Sequence, residues 1–333
     1  MSAISPYATA AAEARAASRV HPAIGLIRLI FWRLVAGVGV LWGAASLTFV
    51  AMNATGGDMA IAILGGPDAL PTPQAIARVR ADYGLDQPLF MQYVHYIGRL
   101  AHGDLGESYR LRIPVAHAIA EQMAPTLILA LSAATVAVIL SILVAVLTAK
   151  RRGPVRSIAS NGELVISSMP IFVTGILLLL AFSFKLRLFP IGGDHGWKSL
   201  VLPVVSLALP ISASLTQVLR SGLEEVLEQP FITMARARGL SDTRVRFGHA
   251  LRHALTPLVT LSGYIFAFLL GGAVVTETLF ARPGLGRLMV DAATNTDVPV
   301  VVGVTLFVAF LYVVINLVVD LLNTLIDPRT VRR

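Results

Sequence analysis

EEVLEQPFITMARARGLS, residues 224–241, is a polar insert between two long apolar stretches of the chain. Pro230 suits the first position of a helix, because its missing N–H would have no partner there. Gly239 suits the left-handed residue that follows a helix C-terminus, and Ser241 and Asp242 restart a helix. The insert therefore predicts a helix of about nine residues, which is too short to be stable alone and needs a partner surface.

The predicted helix carries two large apolar side chains, two alanines that permit close backbone approach, and two arginines that reach acidic groups. These residues are Phe231 and Met234, Ala235 and Ala237, and Arg236 and Arg238. An alternative is an interfacial helix that rests on anionic lipid through its arginines. Both interpretations place the segment at a membrane surface.

The composition is that of a membrane protein. Of 333 residues, 56% are hydrophobic and 14% are charged, against roughly 25% charged residues in a soluble domain. A charged side chain at a bilayer centre costs about 3 kcal/mol, and a spanning helix needs about 20 residues. Charge-free windows of that length occur at residues 34–57, 122–149, 164–184, 199–219, 253–276 and 298–319. We therefore expect six transmembrane helices.

Lysine and arginine concentrate in the loops after the second and fourth windows and at both ends of the chain. Basic residues in short loops favour the cytoplasmic side, so we expect residues 223–252 and both termini inside and residues 58–121 outside. Residues 1–28 lack the apolar region and cleavage site of a signal peptide, which predicts a retained cytoplasmic tail. The net charge of +8 then reflects topology, and nucleic-acid binding is a poor explanation for it.

The external segment, residues 53–123, is long enough for a small subdomain. Thr72 and Pro73 form a helix start and Gly84 a helix end, and residues 88–101 show helical spacing of apolar residues. A third helix is expected over residues 114–123, with Pro125 leading into the second window. The turn at residues 103–108 of this segment has two interpretations. It is a contact for a ligand or partner, or it is a packed loop that needs glycine dihedrals.

Patterns for catalysis are weak throughout. The chain has no cysteine, which excludes disulfides, thiolate chemistry and cysteine metal sites. The nearest phosphate-loop candidate, residues 192–199, has Trp197 where glycine is required. His249 and His253 have a metal-compatible spacing, but no acid or third histidine follows them. An intramembrane enzyme would need a nucleophile–base pair or a His-Glu-x-x-His site, and neither occurs.

A secondary transporter is a second functional class. It would show an inverted repeat or broken helices near the membrane midplane, and the six windows show neither clearly, although Pro203 and Pro210 interrupt the fourth. Four external histidines allow a nickel site, but surface or packing roles are favoured for them. They are His95, His102, His117 and His195.

Residues 233–241 and 249–257 resemble the permease signature of binding-protein-dependent ABC importers, in particular the first permease subunit of the dipeptide/oligopeptide/nickel family. Gly239 and Leu251 match that signature, and Ala235 fills its second alanine position. Departures occur at four positions, and they are departures that the peptide subfamily often shows. They are Thr233, Met234, His249 and Arg252.

Further motifs extend the resemblance from about Arg28 to Arg333 in a fixed order. They cover residues 83–89, 92–93, 103–108, 277–280, 283–288, 316–322 and 327–329. Only the N-terminal tail is unmatched.

The resemblance implies an all-α integral membrane protein of the bacterial inner membrane, with six transmembrane helices in the type I ABC-importer permease fold. The cytoplasmic tail, 1–28, precedes a transmembrane domain, 29–333, with an external subdomain at 53–123 and a cytoplasmic coupling region at 223–252. Implied partners are a second homologous permease subunit, two cytosolic ABC ATPases, an external solute-binding protein and the lipid bilayer. ATP-Mg would be bound by the ATPases, and this chain would hold no cofactor and no ATPase site.

The predicted short helix would be the ATPase-coupling helix in such an importer. Its residues are Phe231, Thr233, Met234, Ala235, Arg236, Ala237, Arg238, Gly239 and Leu240.

Three acidic residues have open roles. Asp104 and Glu277 are candidates for a gate or an external contact, and Glu277 is alternatively a helix-end carboxylate bonded to backbone. Asp320 lies on one face with Asn316 and Asn323, and this position favours an interhelical polar contact over a transport role.

The pair Gly271 and Gly272, followed by Ala273, permits close helix packing. Peptides, nickel, metal chelates and glutathione all remain possible substrates.

Overall fold

A computed structural model describes residues 22–54, 59–64, 70–82, 84–151 and 153–326 of the chain. These residues form helices and connecting turns and contain no β-strand, although Glu107 and Pro114 form an isolated bridge. Most of the predicted tail, Tyr83, Arg152 and residues 327–333, with the last basic residues, lie outside the described residues.

The helices, in chain order, carry the labels used below. They are α1 (Pro22–Ala54), α2 (Met59–Ile63), α3 (Pro73–Asp82), α4 (Leu89–Ala101), α5 (Val115–Thr148), α6 (Pro154–Ser168), α7 (Ile171–Leu178, continued by a π-helical turn over Leu179–Lys185), α8 (Trp197–Val226), α9 (Pro230–Ala237), α10 (Asp242–Arg244, followed by π-helical Val245–Ala250), α11 (Leu251–Ala254), α12 (Thr256–Leu279), α13 (Leu285–Thr294) and α14 (Val298–Ile326).

Helices occupy all six predicted windows. Within the described residues, α1, α5, α8 and α14 are each long and apolar enough to cross a membrane alone. The fifth window, from its fourth residue onward, lies in α12, which has 24 residues. The third window contains a break, since α6 and the helix that begins at Ile171 meet at a bend of 109°.

The helices break at a different proline from those expected from the sequence. Pro125 was expected to separate an external helix from the second span, and Pro203 and Pro210 to interrupt the fourth, but α5 and α8 each continue through their prolines. A proline removes one backbone N–H, and neighbouring helices compensate for that loss in a membrane. The break occurs instead at Met169 and Pro170, which both have extended backbone.

The helices between α1 and α5 confirm two predictions. Helix α3 begins at Pro73, where Thr72 accepts a hydrogen bond from the Ala75 amide at 3.3 Å, and Gly84 follows it with a φ of +64°. Helix α4 begins at Leu89 and packs against α1, where the hydroxyls of Tyr93 and Ser46 lie 2.7 Å apart.

The core is built along α5 and α8, with α12 packed beside them. The middle of the bundle buries Leu129, Leu207 and Leu269 from these three helices. The expected close packing of α12 is confirmed at Gly272, because a β-carbon there would lie 2.6 Å from a methyl of Leu207. A second cluster surrounds the ends of α5 and α8 that adjoin α9. These two long helices therefore connect the membrane core to the polar insert.

Candidate functional site

Helix α9 begins and ends where local sequence rules place it. Gln229 is its N-cap and Pro230 its first residue. Gly239 has a φ of +83°, its amide donates to the Arg236 carbonyl at 2.9 Å, and the Leu240 amide donates to Ala235 at 3.4 Å. These two bonds form a Schellman motif, in which the left-handed residue satisfies carbonyls at the helix end. The predicted left-handed Gly239 is confirmed.

One face of α9 is buried within its own chain. Ile232 and Ala235, three residues apart, are 0% and 7% exposed and pack on the C-terminal ends of α5 and α8. Ala235 was expected to permit close approach of a partner, but it faces the chain's own core instead. The residue types of this helix did not decide which of its sides faces the chain's own core.

The other face of α9 is accessible. Phe231 is 41% and Met234 is 62% exposed. Four further predicted residues, Thr233, Arg236, Ala237 and Arg238, and also Gly239, are exposed, and Leu240 is half-buried. We call this face the coupling surface, consisting of Phe231, Thr233, Met234, Ala237 and Arg238. The ring of Phe231 is supported by His253, with ring centres 5.3 Å apart.

A chain of ion pairs connects α9 to the end of α5. Arg236 lies 3.2 Å from Asp242, and Asp242 lies 2.6 Å from Arg246. Arg246 is buried and donates to the carbonyls of Val146 at 3.0 Å and Ala149 at 2.7 Å. A cation suits these positions, because the last carbonyls of a helix carry partial negative charge.

The same contacts change the titration of Asp242. The hydrogen bond from Arg246 is the largest cause that lowers the pKa of the Asp242 carboxyl, with a further contribution from Arg236. The carboxylate is therefore charged at neutral pH and bridges the two arginines.

The two histidines with metal-compatible spacing have separate surroundings. His249 Nδ1 lies 3.5 Å from the Arg244 carbonyl, and His253 contacts Phe231. The described residues contain no group of three or more histidine or acidic side chains that could hold a metal ion.

A groove of about 570 Å³ lies beside α8, between α12 and the bend that joins α6 to α7. Its lining is almost entirely apolar and includes no charged side chain. It comprises Ser167, Met169, Pro170, Ile171, Pro210, Ile211, Ser214, Leu215, Val218, Leu261, Ile265, Ala267, Phe268, Gly271, Gly272 and Val275. Gly271 has open space at its β-position, which widens the groove there.

A buried ion pair joins α6 to α8 within four residues of Ser167 and Val218, which line this groove. Glu163 of α6 and Arg220 of α8 are 6% and 7% exposed and hydrogen-bonded to each other. Sequence patterns did not single them out, although each is the charged residue that bounds a spanning window. Two charges that both end apolar windows on the same side of a membrane are the only signal that points to such a pair.

Glu277 is a helix-end carboxylate bonded to backbone in this conformation, which is the second of the two roles predicted for it. It is 0% exposed, accepts from the Thr126 hydroxyl at 2.6 Å and from the Gly286 amide at 2.8 Å, and thereby caps the start of α13. A β-carbon on Gly284 would overlap this carboxyl group. The side chain has no exposed surface through which to line a gate here.

Asp104 lies in an exposed turn and accepts a hydrogen bond from the Gly106 amide at 2.9 Å. The end of this turn is packed, because Ser108 is 1% exposed and bonded to the buried carboxylate of Asp297. Asp297 also accepts from the Tyr109 amide at 3.1 Å. The loop is therefore fixed to the start of α14, and Asp297 was not a sequence-based candidate.

The interhelical contact predicted for Asp320 is confirmed. Its carboxylate lies 2.6 Å from the Arg33 guanidinium of α1. Asn316 faces Gly263 of α12, where an added β-carbon would lie 2.9 Å from the amide oxygen. The side chain of Asn323 lies outside the described residues.

Comparison with known proteins gives two family matches. Residues 137–332 match the binding-protein-dependent transport system inner membrane component family, and residues 26–130 match the N-terminal region of such components. A peptide transport system permease protein of Brucella abortus is 41% identical over 314 residues, which cover 90% of this chain and 98% of the relative. The glutathione transport system permease protein of Escherichia coli is 37% identical over 308 residues, covering 91% and 98%. A crystal structure of an amino acid ABC transporter with histidines has a TM-score of 0.47 and 21% identity, covering 64% of this chain and 94% of that chain.

Proposed function

The chain belongs to the family of inner membrane components of binding-protein-dependent transport systems, and we propose that it forms half of the translocation pathway of an ATP-driven importer for peptides or related small solutes. The two relatives named above support this solute class, since glutathione is itself a tripeptide. An external binding protein would deliver the solute, and a second, homologous permease subunit would supply the other half of the pathway.

The coupling surface is the observation that carries the proposal. An eight-residue helix has little stability of its own, yet α9 is fixed by the burial of Ile232 and Ala235 while it exposes Phe231 and Met234. Large apolar side chains on a rigid exposed element are typical of protein contact sites. Arg238 at one end of the surface suits an acidic partner group. We assign this surface to a cytosolic ATPase subunit.

A mechanical connection runs from the coupling surface to the groove. The buried face of α9 packs on the ends of α5 and α8, and Arg246 attaches the following segment to the carbonyls of α5. Helix α8 is continuous for 30 residues, and Pro210, Ser214 and Val218 on it line the groove. A displacement of α9 by an ATPase therefore moves one wall of the groove.

The groove suits passage better than tight binding. Ser167 and Ser214 contribute the side-chain hydroxyls of its lining, which contains no charged side chain. Such a wall has little differential affinity for particular side chains, so peptides of varied sequence meet similar surroundings. Selection among solutes would then belong to the external binding protein. Partner ATPases would hydrolyse ATP, and this chain would provide the pathway.

The proposal is tested by reconstitution. The chain, purified alone or with the second permease and both ATPases, is placed in liposomes with the binding protein. Tritium-labelled trialanine and glutathione are the probes, and nickel-63 tests the alternative metal substrate. We expect ATP-dependent uptake of a peptide probe by the complex and no hydrolysis by the chain alone. Robust hydrolysis by the single chain, or uptake driven by an ion gradient without ATP, would contradict the proposal.

A further inference from the structure

A single guanidinium joins three helices at the inner end of the bundle. Arg220 of α8 is hydrogen-bonded to the Glu163 carboxylate of α6, and its Nε donates to the Thr148 hydroxyl of α5 at 2.8 Å. All three residues are at most 7% exposed. The planar fork of an arginine fixes the orientation of both acceptors at once.

Stability alone does not explain a buried pair of this kind. Apolar side chains of similar volume often stabilise a fold as well or better, because two charges must be removed from water to form the pair. Removal of one partner is strongly destabilising, since it leaves the other charge buried without compensation. The directional character of the contact is what an apolar replacement lacks.

The pair is incompletely satisfied in this conformation. The second carboxylate oxygen of Glu163, Oε2, is buried and has no hydrogen-bond partner among the described residues. A buried oxygen without a donor is unfavourable. The contact is therefore not a fully satisfied network that would oppose movement of α6 relative to α8.

The position of Glu163 connects the pair to the groove. Glu163 lies five residues before the end of α6, which is about 7.5 Å along the helix axis. Met169 and Pro170 follow with extended backbone and bend the chain by 109° into α7. We call residues 167–171 the elbow, and four of its members line the groove.

We infer that Glu163 and Arg220 are positioning residues that transmit movement of the coupling region to the elbow at the inner end of the groove. Arg220 lies six residues before the end of α8, next to the cluster that holds α9. A displacement of this end of α8 pulls α6 through the ion pair and changes the elbow's position. The inference rests on the proposed function, because it requires an ATPase that moves α9.

A nearby ion pair provides the matched control. Arg156 of α6 and Glu224 of α8 join the same two helices at 3.0 Å, but their side chains are 41% and 28% exposed. An exposed pair of this kind contributes little to stability and is screened by salt. Glu224→Gln removes a charge from the same helix pair without touching the buried contact.

The test uses the cysteine-free character of the chain. Ser167→Cys in the elbow carries a nitroxide label, and the complete complex with its second permease and ATPases is placed in nanodiscs. Electron paramagnetic resonance spectra are recorded without nucleotide and after trapping with ATP, magnesium and vanadate. The variants are Glu163→Gln, the double change Glu163→Met with Arg220→Met, and Glu224→Gln.

We expect trapping to shift the spectrum of the labelled parent and of Glu224→Gln. The shifted fraction should fall about tenfold in Glu163→Gln and in the double methionine variant, within the ordinary range of coupling between sites. Co-purification of the ATPase checks that each variant assembles. The wild-type shift in Glu163→Gln or in the double methionine variant would overturn the inference, and so would a parent that does not shift.

Assembly failures are also decisive. If both variants lose the ATPase while the control keeps it, the pair serves folding and the inference is wrong. If the unmodified chain fails to bind any ATPase, the proposed function fails, and the inference falls with it.

Discussion

Gly239 allows a graded test of the coupling surface. Its φ of +83° lies in the left-handed region, and a β-carbon there would meet nothing within 4 Å. Substitution therefore adds a backbone penalty without a collision. That penalty is about 1–2 kcal/mol for most L-residues, lower for asparagine and higher for β-branched side chains. A penalty of this size shifts a local equilibrium by roughly 5- to 30-fold.

The expected order of ATPase affinity is wild type, then Gly239→Asn, Gly239→Ala and Gly239→Val. A changed C-terminal turn re-aims the exposed side chains of α9 without altering them. The assay measures the affinity of the purified ATPase for the chain in nanodiscs, together with its abundance in the membrane. Gly248→Ala is the control, since Gly248 also has open space at its β-position but no positive φ.

The reasoning would be refuted if Gly239→Val bound the ATPase as tightly as the wild type. It would equally be refuted if Gly248→Ala weakened binding as much as the changes at Gly239. Either result would show that the left-handed turn does not set the coupling surface.

The remaining predictions concern topology, packing and pH. With single cysteines, an impermeant thiol reagent applied to intact cells should label Ala101→Cys but leave Ser241→Cys unlabelled; labelling at Ser241 would reverse the predicted orientation. Gly284→Ala should lower the melting temperature of the purified chain, because its β-carbon overlaps the buried carboxylate that caps α13, whereas Gly271→Ala should change it little; equal melting temperatures would contradict this packing. The pKa of Asp242 is lowered in the folded chain, so its ion pairs contribute fully above the unfolded value of about 3.9 and are lost as the pH falls through the lowered value. ATPase association should therefore become less sensitive to Asp242→Asn as the pH decreases below about 4, and an unchanged sensitivity would argue against these pairs.

Helix ends and membrane spans could be predicted from the sequence, because a few neighbouring residues decide them. The start of α9 at Pro230 and its end at Gly239 follow from dihedral preferences and the missing N–H of proline. The spanning windows follow from the cost of charge in a bilayer. Both kinds of rule act within one turn or one span.

The features that could not be predicted from the sequence depend on contacts between segments that are far apart in the chain. The chain continues as a helix through Pro125 and Pro210 but breaks at Pro170, and neighbouring helices rather than the proline itself determine which outcome occurs. The carboxylate of Glu277 caps α13 because Gly284 and Gly286 let the backbone approach it. Glu277 belongs to α12, whereas Gly284 and Gly286 lie at the start of α13, so no periodicity within one helix reveals the contact.

The buried ion pair of Glu163 and Arg220 could not be predicted from the sequence for the same reason. Glu163 and Arg220 are 57 residues apart, and each was interpreted as a charge that ends a membrane window. Their contact depends on how α6 folds back from the elbow onto α8. Only the three-dimensional arrangement brings the two charges together.

The most direct test of the account asks what touches α9 in the assembled complex. Met234 is 62% exposed at the centre of the coupling surface, whereas Ile232 is fully buried. A thiol-linked photo-crosslinker is attached to Met234→Cys in the cysteine-free chain, the complex is irradiated in native membranes, and adducts are identified by mass spectrometry. We expect a covalent adduct with the cytosolic ATPase subunit from position 234 and none from Ile232→Cys. Adducts with lipid alone at position 234, in membranes that contain the ATPase, would contradict the assignment of α9 as the ATPase-coupling helix.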